Sequence, residues 1–169
     1  MKQITGNKLL VKALKEEGVE YLFGYPGACT IDISDELYKQ DDVTVILPRH
    51  EQALVHAADA YARTTGKVGV CLVTSGPGAT NLVTGVADAY LDGAPLVAIT
   101  GQVGTDRMQL TSHQYLDLTA MFEPITKRSK QIIRPDTVGE IVRLAFKHAE
   151  KGKPGATHID LPQNIAKMP

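Results

Sequence analysis

Short apolar runs alternate with amphipathic helical periodicity along the whole chain. Apolar runs of four to eight residues between turn signals indicate strands, and apolar positions that recur every three or four residues indicate helices. The run at 68–73 is almost continuously apolar, which is typical of a strand buried on both faces. The pattern predicts strands at about 19–23, 43–47, 68–73, 96–100, 131–134 and 157–161.

Helical patterns fall between these strands, and the connections are short. Six such alternations favour an α/β fold with a mainly parallel sheet that helices cover on both faces. The polar stretch 105–114 is interpreted as a loop, and the tail 163–169 has little structure of its own. We predict helices at about 5–15, 31–38, 51–65, 115–122 and 137–150, and one helix that contains Asn81 and ends near residue 91.

Composition and charge narrow the class of protein. The chain has 169 residues, 43% of them hydrophobic, with 18 basic and 19 acidic side chains and a net charge of −1. This balance gives no electrostatic reason to expect a nucleic acid or an anionic membrane as partner. No apolar run approaches the roughly 18 residues that span a bilayer, and the N-terminus has no signal-peptide core. We therefore expect a cytoplasmic protein in a reducing compartment.

Three chemically suggestive segments follow three successive strands. Gly24-Tyr25-Pro26-Gly27 follows the first, Glu51 opens the helix after the second, and Ser75-Gly76-Pro77-Gly78 follows the third. In a parallel sheet the carboxyl ends of the strands share one edge, which is where ligands bind. Asn81 could add an amide donor and acceptor there. Neither glycine turn matches a dinucleotide fingerprint or a P-loop.

Glu51 has two possible interpretations. A carboxylate at a helix start is favoured by the helix dipole by about 0.3–1 kcal/mol, whatever its function. The helix that follows is unusual, however, because its alanines leave little side-chain bulk and permit close approach of another domain or subunit. We hypothesise that Glu51 is the acid/base group of a cofactor site that such a neighbour completes. The alanines are Ala53, Ala57, Ala58, Ala60 and Ala62.

The histidines and cysteines show no metal motif. The five histidines lack a convincing ligand spacing, and Cys29 and Cys71 fit neither a metal site nor a disulfide framework. Cys71 is interpreted as a small core residue, whereas the role of Cys29 stays open. His113 and Gln114 lie in the polar loop, where they could face a substrate.

Four blocks resemble the N-terminal, pyrimidine-binding domain of thiamine-diphosphate enzymes, specifically the acetolactate (acetohydroxyacid) synthase large subunit. The similarity covers nearly the whole chain, in the family's order, and is most specific in the second and third blocks. Segments 124–127 and 160–162 fit as well. The blocks are 23–27, 49–53 with 61–63, 74–81 and 98–103.

The resemblance implies a three-layer α/β/α domain over residues 1–162 with a six-stranded parallel sheet, followed at 163–169 by the start of a linker to a middle domain. It implies that the Glu51 carboxyl bonds N1′ of the aminopyrimidine of thiamine diphosphate. Ser75 belongs to the block that would form the pyrimidine pocket. Pro26, Gly27, Gly76, Pro77 and Asn81 would line that pocket, and Gln114 would reach toward the substrate.

The implied enzyme is a transferase that decarboxylates pyruvate and condenses the two-carbon unit with a second 2-oxo acid, as in branched-chain amino acid biosynthesis. A second copy of the chain would complete the site at the subunit interface, and a small regulatory subunit is a further candidate partner. The resemblance places Mg²⁺ in another domain, so no metal ligand is expected here. Segment 112–117 is closer to flavin-independent members, whereas 24–27 and 58–63 are closer to anabolic ones, which leaves the FAD requirement open.

Other functions remain as alternatives. Pyruvate oxidases, sulfoacetaldehyde acetyltransferases and oxalyl-coenzyme A decarboxylases are related enzymes that this segment discriminates poorly. A non-catalytic binding module with the same fold is a second alternative, and a flavodoxin-like nucleotide-binding domain is a third. The isolated chain is expected to be inactive and to bind thiamine diphosphate weakly.

Overall fold

A computed structural model describes residues 4–108 and 111–169 of the chain. Its sheet has six strands, and every strand pair is parallel. The predicted α/β fold is therefore confirmed. The strands are β1 Tyr21–Gly24, β2 Thr44–Ile46, β3 Gly69–Val73, β4 Leu96–Gln102, β5 Ser129–Gln131 and β6 Ala156–Pro162, in the spatial order β2-β1-β3-β4-β6-β5.

Helices cover both faces of this sheet and give the three layers. One face buries α1, α2, α7 and α8 in a core with Leu14, Ile33 and Phe146. The other buries α3, α4, α5 and α6 around Leu54 and Phe122. The helices are α1 Gly6–Glu16, α2 Ile31–Tyr38, α3 Glu51–Thr65, α4 Pro77–Thr80, α5 Val83–Asp92, α6 Leu118–Phe122, α7 Val138–Glu150 and α8 Gln163–Lys167.

The strand order reverses between β1 and β3. From β1 the chain crosses outward to β2 at the sheet edge, and from β2 it crosses back over β1 to β3. Such a reversal opens a crevice outside the carboxyl ends of the two central strands, where ligands of open α/β sheets bind. The Gly24–Gly27 turn and the Thr74–Gly78 turn both leave the sheet at this point.

The fifth strand lies earlier than its hydrophobic pattern predicts. The prediction of 131–134 is wrong because Ile132 and Ile133 are not the paired residues. Instead, Ser129 and Gln131 pair with His158 and Asp160 in β6. Their polar side chains turn toward polar partners inside the protein, so apolar periodicity does not mark this strand.

Two helical predictions also change. The helix expected around Asn81 is divided into α4 and α5, with Asn81 as the C-cap of α4. The tail, predicted to have little structure, forms α8, whose Ile165 and Ala166 are buried against α1 and α2. The further prediction that a linker begins at 163 stays a prediction. Within 4–108 and 111–169, no helix is long and apolar enough to cross a membrane.

Candidate functional site

Glu51 occupies the first position of α3. The chain leaves β2 and reaches His50, which is extended and whose Nδ1 accepts a hydrogen bond from the Gln52 amide at 3.1 Å. His50 is therefore the N-cap, and it satisfies one of the free amides of the first turn. This capping fixes where the helix starts and places the Glu51 carboxylate at its N-terminus, where the dipole favours negative charge.

One oxygen of Glu51 is held by the chain and the other is open. Asn81 Nδ2 donates to Glu51 Oε2 at 2.9 Å. Oε1 makes no side-chain hydrogen bond with the residues that the structure describes. A Cβ at Gly78 would lie 3.7 Å from Oε1, so the glycine leaves this side of the carboxylate uncrowded. The half-buried carboxylate is thus oriented by Asn81 and still able to accept one more donor.

The turn after β3 brings Gly76 against Gln114. Gly76 has φ +61° and ψ −123°, a conformation that disfavours any side chain. A Cβ there would lie 2.8 Å from Gln114 Cβ and 2.9 Å from Gln114 O. Gln114 itself has φ +63°, and no other non-glycine residue of the described ranges has positive φ. The close contact joins the turn to the loop that was predicted to face a substrate.

The two glycine turns are tied together at Thr74. A Cβ at Gly27 would lie 2.5 Å from Thr74 Cβ, so only glycine permits this approach. The Cys29 amide donates to Thr74 Oγ1 at 3.2 Å, and the buried Ser75 hydroxyl donates to Cys29 Sγ at 3.2 Å. Cys29 therefore connects the end of the first turn to the start of the second. The Ser75 hydroxyl already has this partner, so its side chain supports the turn.

Pro26 faces a different cavity. An apolar cavity of about 260 Å³ lies beside β1 and β2, lined by Pro26, Tyr25, Leu37, Val45 and Leu47 among others. Glu51 does not line it. Of the predicted site residues, Glu51 and Asn81 are hydrogen-bonded to each other, and Gly76 contacts Gln114. Gly27 is connected to them through Thr74, whereas Pro26 lines the apolar cavity. Pro77 is exposed at the start of α4.

Sequence reasoning missed a buried polar network that joins β4, β5 and β6. Thr100 Oγ1 donates to Asp160 Oδ1 at 2.8 Å, and Gln131 Nε2 donates to Asp160 Oδ2 at 2.7 Å. His158 Nε2 lies 2.9 Å from Thr100 Oγ1, and its ring stacks on Phe122 with centroids 4.2 Å apart. The available signal was that polar residues recur inside strands predicted to be buried, where each must find a partner.

Burial shifts the ionisation of this network. It raises the pKa of Asp160 to about 6, against hydrogen bonds from Gln131, Thr100 and Gln102 that lower it. Burial also lowers the pKa of His158 to about 3, so its imidazole is neutral at pH 7.

Burial likewise raises the pKa of the Cys71 thiol to about 12, in keeping with its interpretation as a core residue. No cluster of three or more metal-ligating side chains occurs in 4–108 and 111–169.

A comparison with protein families and curated proteins adds to this geometry. Residues 4–121 match the family model described as "Thiamine pyrophosphate enzyme, N-terminal TPP binding domain". This match includes every predicted site residue. The chain is also 49% identical, over 162 residues, to the "Probable acetolactate synthase large subunit" of Methanocaldococcus jannaschii.

Other relatives carry related names. The chain is 47% identical over 168 residues to "Acetolactate synthase" of Arthrospira platensis, and 42% identical over 165 residues to "Acetolactate synthase isozyme 3 large subunit" of Escherichia coli. These alignments cover 96–98% of the chain. The chain spans only 27–29% of the length of these three relatives.

Proposed function

Because the chain belongs to the thiamine pyrophosphate enzyme family, through its N-terminal TPP binding domain, we propose that it forms the N-terminal, pyrimidine-binding domain of an acetolactate synthase. The resemblance drawn from the sequence is confirmed at the level of the family. The proposed activity is that of a longer enzyme, because the relatives that carry this name are more than three times the length of the chain.

The observation that carries this proposal is the half-satisfied carboxylate of Glu51. Asn81 fixes Oε2, and Oε1 has no side-chain hydrogen bond with the described residues, at the start of a helix that follows the carboxyl end of β2. An aminopyrimidine is a planar heterocycle whose ring nitrogen can share a proton with a carboxyl group. Gly78 carries no side chain that would contact Oε1, since a Cβ there would lie 3.7 Å from this oxygen. A carboxylate oxygen without a side-chain partner, next to a glycine, therefore fits this cofactor.

When bound, thiamine diphosphate supplies the electron sink that a 2-oxo acid needs to lose carbon dioxide. The residues of this chain orient it and control one proton. Glu51 Oε1 would hold the proton shared with the pyrimidine nitrogen, and Asn81 would keep the carboxyl plane in place. Gly27, Gly76 and Pro77 would bound the ring. Gln114, held on Gly76, would face the substrate side.

The arrangement is half of a site. Glu51 is only partly buried, and Ala53 and Ala60 on the same helix are exposed small residues that a second copy of the chain could approach. We expect the 169-residue chain alone to be inactive and to bind thiamine diphosphate weakly. Isothermal titration calorimetry, with and without Mg²⁺, measures this, and tight magnesium-dependent binding would contradict it.

The activity test uses the longer enzyme. Incubation with pyruvate, with and without added FAD, should produce acetolactate, and the dependence on FAD would decide the flavin requirement. Acetyl phosphate from pyruvate, phosphate and oxygen would instead favour a pyruvate oxidase. Turnover of oxalyl-coenzyme A or sulfoacetaldehyde would favour the other two alternatives. A second 2-oxo acid substrate, Mg²⁺ bound by another domain, a small regulatory subunit, a cytoplasmic location and a role in branched-chain amino acid biosynthesis remain predictions.

A further inference from the structure

Gln102 stands between the buried network and the candidate site. It is the last residue of β4 and is buried. Its Oε1 accepts the Val103 amide at 3.1 Å. Its Nε2 donates to the carbonyl of Leu116 at 2.9 Å and lies 3.5 Å from Asp160 Oδ2. Every polar atom of the side chain therefore has a partner, and these partners fix the orientation of the amide.

Hydrogen bonds fix the side chains of the network behind Gln102, because one assignment of donors and acceptors satisfies all of its members. The Thr100 hydroxyl has one proton, which it gives to Asp160, so it must accept from His158 Nε2–H. His158 Nδ1 is then unprotonated and accepts the Ser129 hydroxyl at 2.8 Å. Each member thus has the partner it needs, and rearranging one would leave a buried polar group unpaired.

The other hydrogen bonds of the described loop residues 111–117 are local. Leu116 is 42% exposed, so it does not belong to the buried core. The Tyr115 amide bonds the carbonyl of Ser112 at 3.2 Å, within the loop itself. Asp117 caps α6 by accepting the Ala120 amide at 3.0 Å. The Gln102 bond to the Leu116 carbonyl connects this loop to the core of the sheet.

We propose that Gln102 is a positioning residue for Gln114, since its amide ties the Leu116 carbonyl to the Asp160 network and thereby holds Gln114 against Gly76. Gln114 lies in a left-handed conformation that a residue other than glycine rarely adopts without support. The tether from one side and the Gly76 contact from the other supply that support. The catalytic consequence rests on the proposed function, whereas the structural consequence does not.

A matched control, Gln131→Met, distinguishes a positioning role of Gln102 from the loss of a hydrogen bond to the buried Asp160 carboxylate. Gln131 Nε2 also donates to Asp160 Oδ2, at 2.7 Å, but Gln131 makes no side-chain hydrogen bond to the described part of the loop. Gln102→Met and Gln131→Met each keep the length of the side chain and remove a donor to Asp160 Oδ2. Only Gln102→Met also releases the Leu116 carbonyl, together with the Val103 amide that Oε1 accepts.

The first test is hydrogen exchange on the 169-residue chain, followed in peptides that cover residues 113–118. Gln102→Met should speed exchange of the Tyr115 amide by about tenfold, the factor expected when one buried hydrogen bond that resists local opening is lost. Gln131→Met should leave it unchanged. Equal exchange in both variants, or no change in either, would overturn the proposal independently of any enzyme activity.

The second test uses the longer enzyme and its steady-state kinetics with pyruvate. Gln102→Met should lower kcat/KM by about 10- to 100-fold, the range expected for a misplaced substrate contact. Gln131→Met should not. Because Gln102 acts through Gln114, the pair Gln102→Met with Gln114→Ala should be no worse than Gln114→Ala alone. Additive losses would overturn the positioning role. Faster exchange at 113–118 in an enzyme that does not use pyruvate would instead contradict only the proposed function.

Discussion

Two buried or half-buried carboxylates show what distinguishes a reactive position from a structural one. Asp160 has both oxygens bonded by the chain, to Thr100 on one side and Gln131 on the other, and is completely buried. Glu51 has one oxygen bonded, to Asn81, and the other open at the sheet edge. A saturated carboxylate stabilises its neighbours, whereas an unsaturated one can still bond a ligand. The incomplete set of partners, combined with the position at the carboxyl ends of the strands, therefore distinguishes Glu51 from Asp160.

The comparison also limits what a perturbed pKa can indicate. The large shifts at Asp160 and His158 arise from burial inside a network whose hydrogen-bonding groups are paired. Perturbed ionisation is a useful sign of a functional site, but structural networks produce it as well. Here position at the strand reversal and a free oxygen are the better signs, and the network is assigned a supporting role through Gln102.

The largest effect on stability that we predict concerns the pH dependence of unfolding. The raised pKa of Asp160 contributes stability that is present below its unfolded value of about 3.8 and is lost as pH rises through about 6. The lowered pKa of His158 acts in the opposite direction, because its contribution is present above the unfolded value of 6.5 and is lost as pH falls toward 3. Between pH 4 and 6 the two effects oppose each other.

Asp160→Asn removes one of these opposing contributions. Unfolding in urea at about pH 3, 5 and 7 should show that the variant gains stability relative to the native chain as pH rises. The gain should be about 3 kcal/mol, from about 1.36 kcal/mol per pKa unit. Titrating groups outside this network are shared by both proteins and cancel in the difference. If the difference in unfolding free energy between the variant and the native chain did not change with pH, the pKa of Asp160 would not be raised on folding. The contrast with Glu51 would then not hold.

A smaller effect is expected at the turn beside the site. Gly76→Ala should destabilise the chain by about 1–3 kcal/mol, because φ is +61° and the new Cβ would lie 2.8 Å from Gln114 Cβ. Gly139→Ala is the matched control. This glycine lies within α7, nothing lies within 4 Å of a Cβ there, and alanine should stabilise the helix by about 0.5–1 kcal/mol. Denaturant unfolding measures both, and a neutral Gly76→Ala would mean that the turn does not hold Gln114 closely.

The difference between two further variants tests the two sets of partners directly. Asn81→Ala should cost less than about 1 kcal/mol, since water can replace the lost partner of the half-buried Glu51. Gln131→Met removes a donor from the buried Asp160 and should cost about 1–3 kcal/mol. At pH 7, Gln131→Met should therefore lower the free energy of unfolding more than Asn81→Ala does. A reversed order would contradict the distinction between an open and a saturated carboxylate.

Local signals predicted much of the fold. The bounds of α2 and α3 agree with the prediction because apolar periodicity and clear start signals coincide there. The parallel sheet follows from the alternation of strands and helices. The register of β5 was not predictable in this way, because its pairing depends on Gln131 and Ser129 meeting partners in β6. Tertiary hydrogen bonds, which a hydrophobic pattern does not encode, decide that register.

In the candidate site too, some residues could be predicted from local sequence signals and others could not. Glu51, Gly76 and Asn81 could be predicted because each follows a strand end, and strand ends of a parallel sheet share an edge. The cavity that Pro26 lines and the internal bond of the Ser75 hydroxyl are tertiary features that the pattern of strands and helices does not encode. Gln102 was missed because its function depends on the Leu116 carbonyl, which lies in a loop without a recognisable pattern.

The most direct test of the account is the rate at which the C2 proton of bound thiamine diphosphate exchanges with solvent deuterium, followed by NMR in the longer enzyme. Glu51→Gln keeps the size of the side chain but removes the carboxylate that would hold the proton. It should slow exchange by at least about 100-fold, the lower range for general acid–base catalysis. Glu123→Gln, the same change at an exposed carboxylate, should leave the rate unchanged. An unchanged rate in Glu51→Gln, with the cofactor still bound, would contradict the central claim.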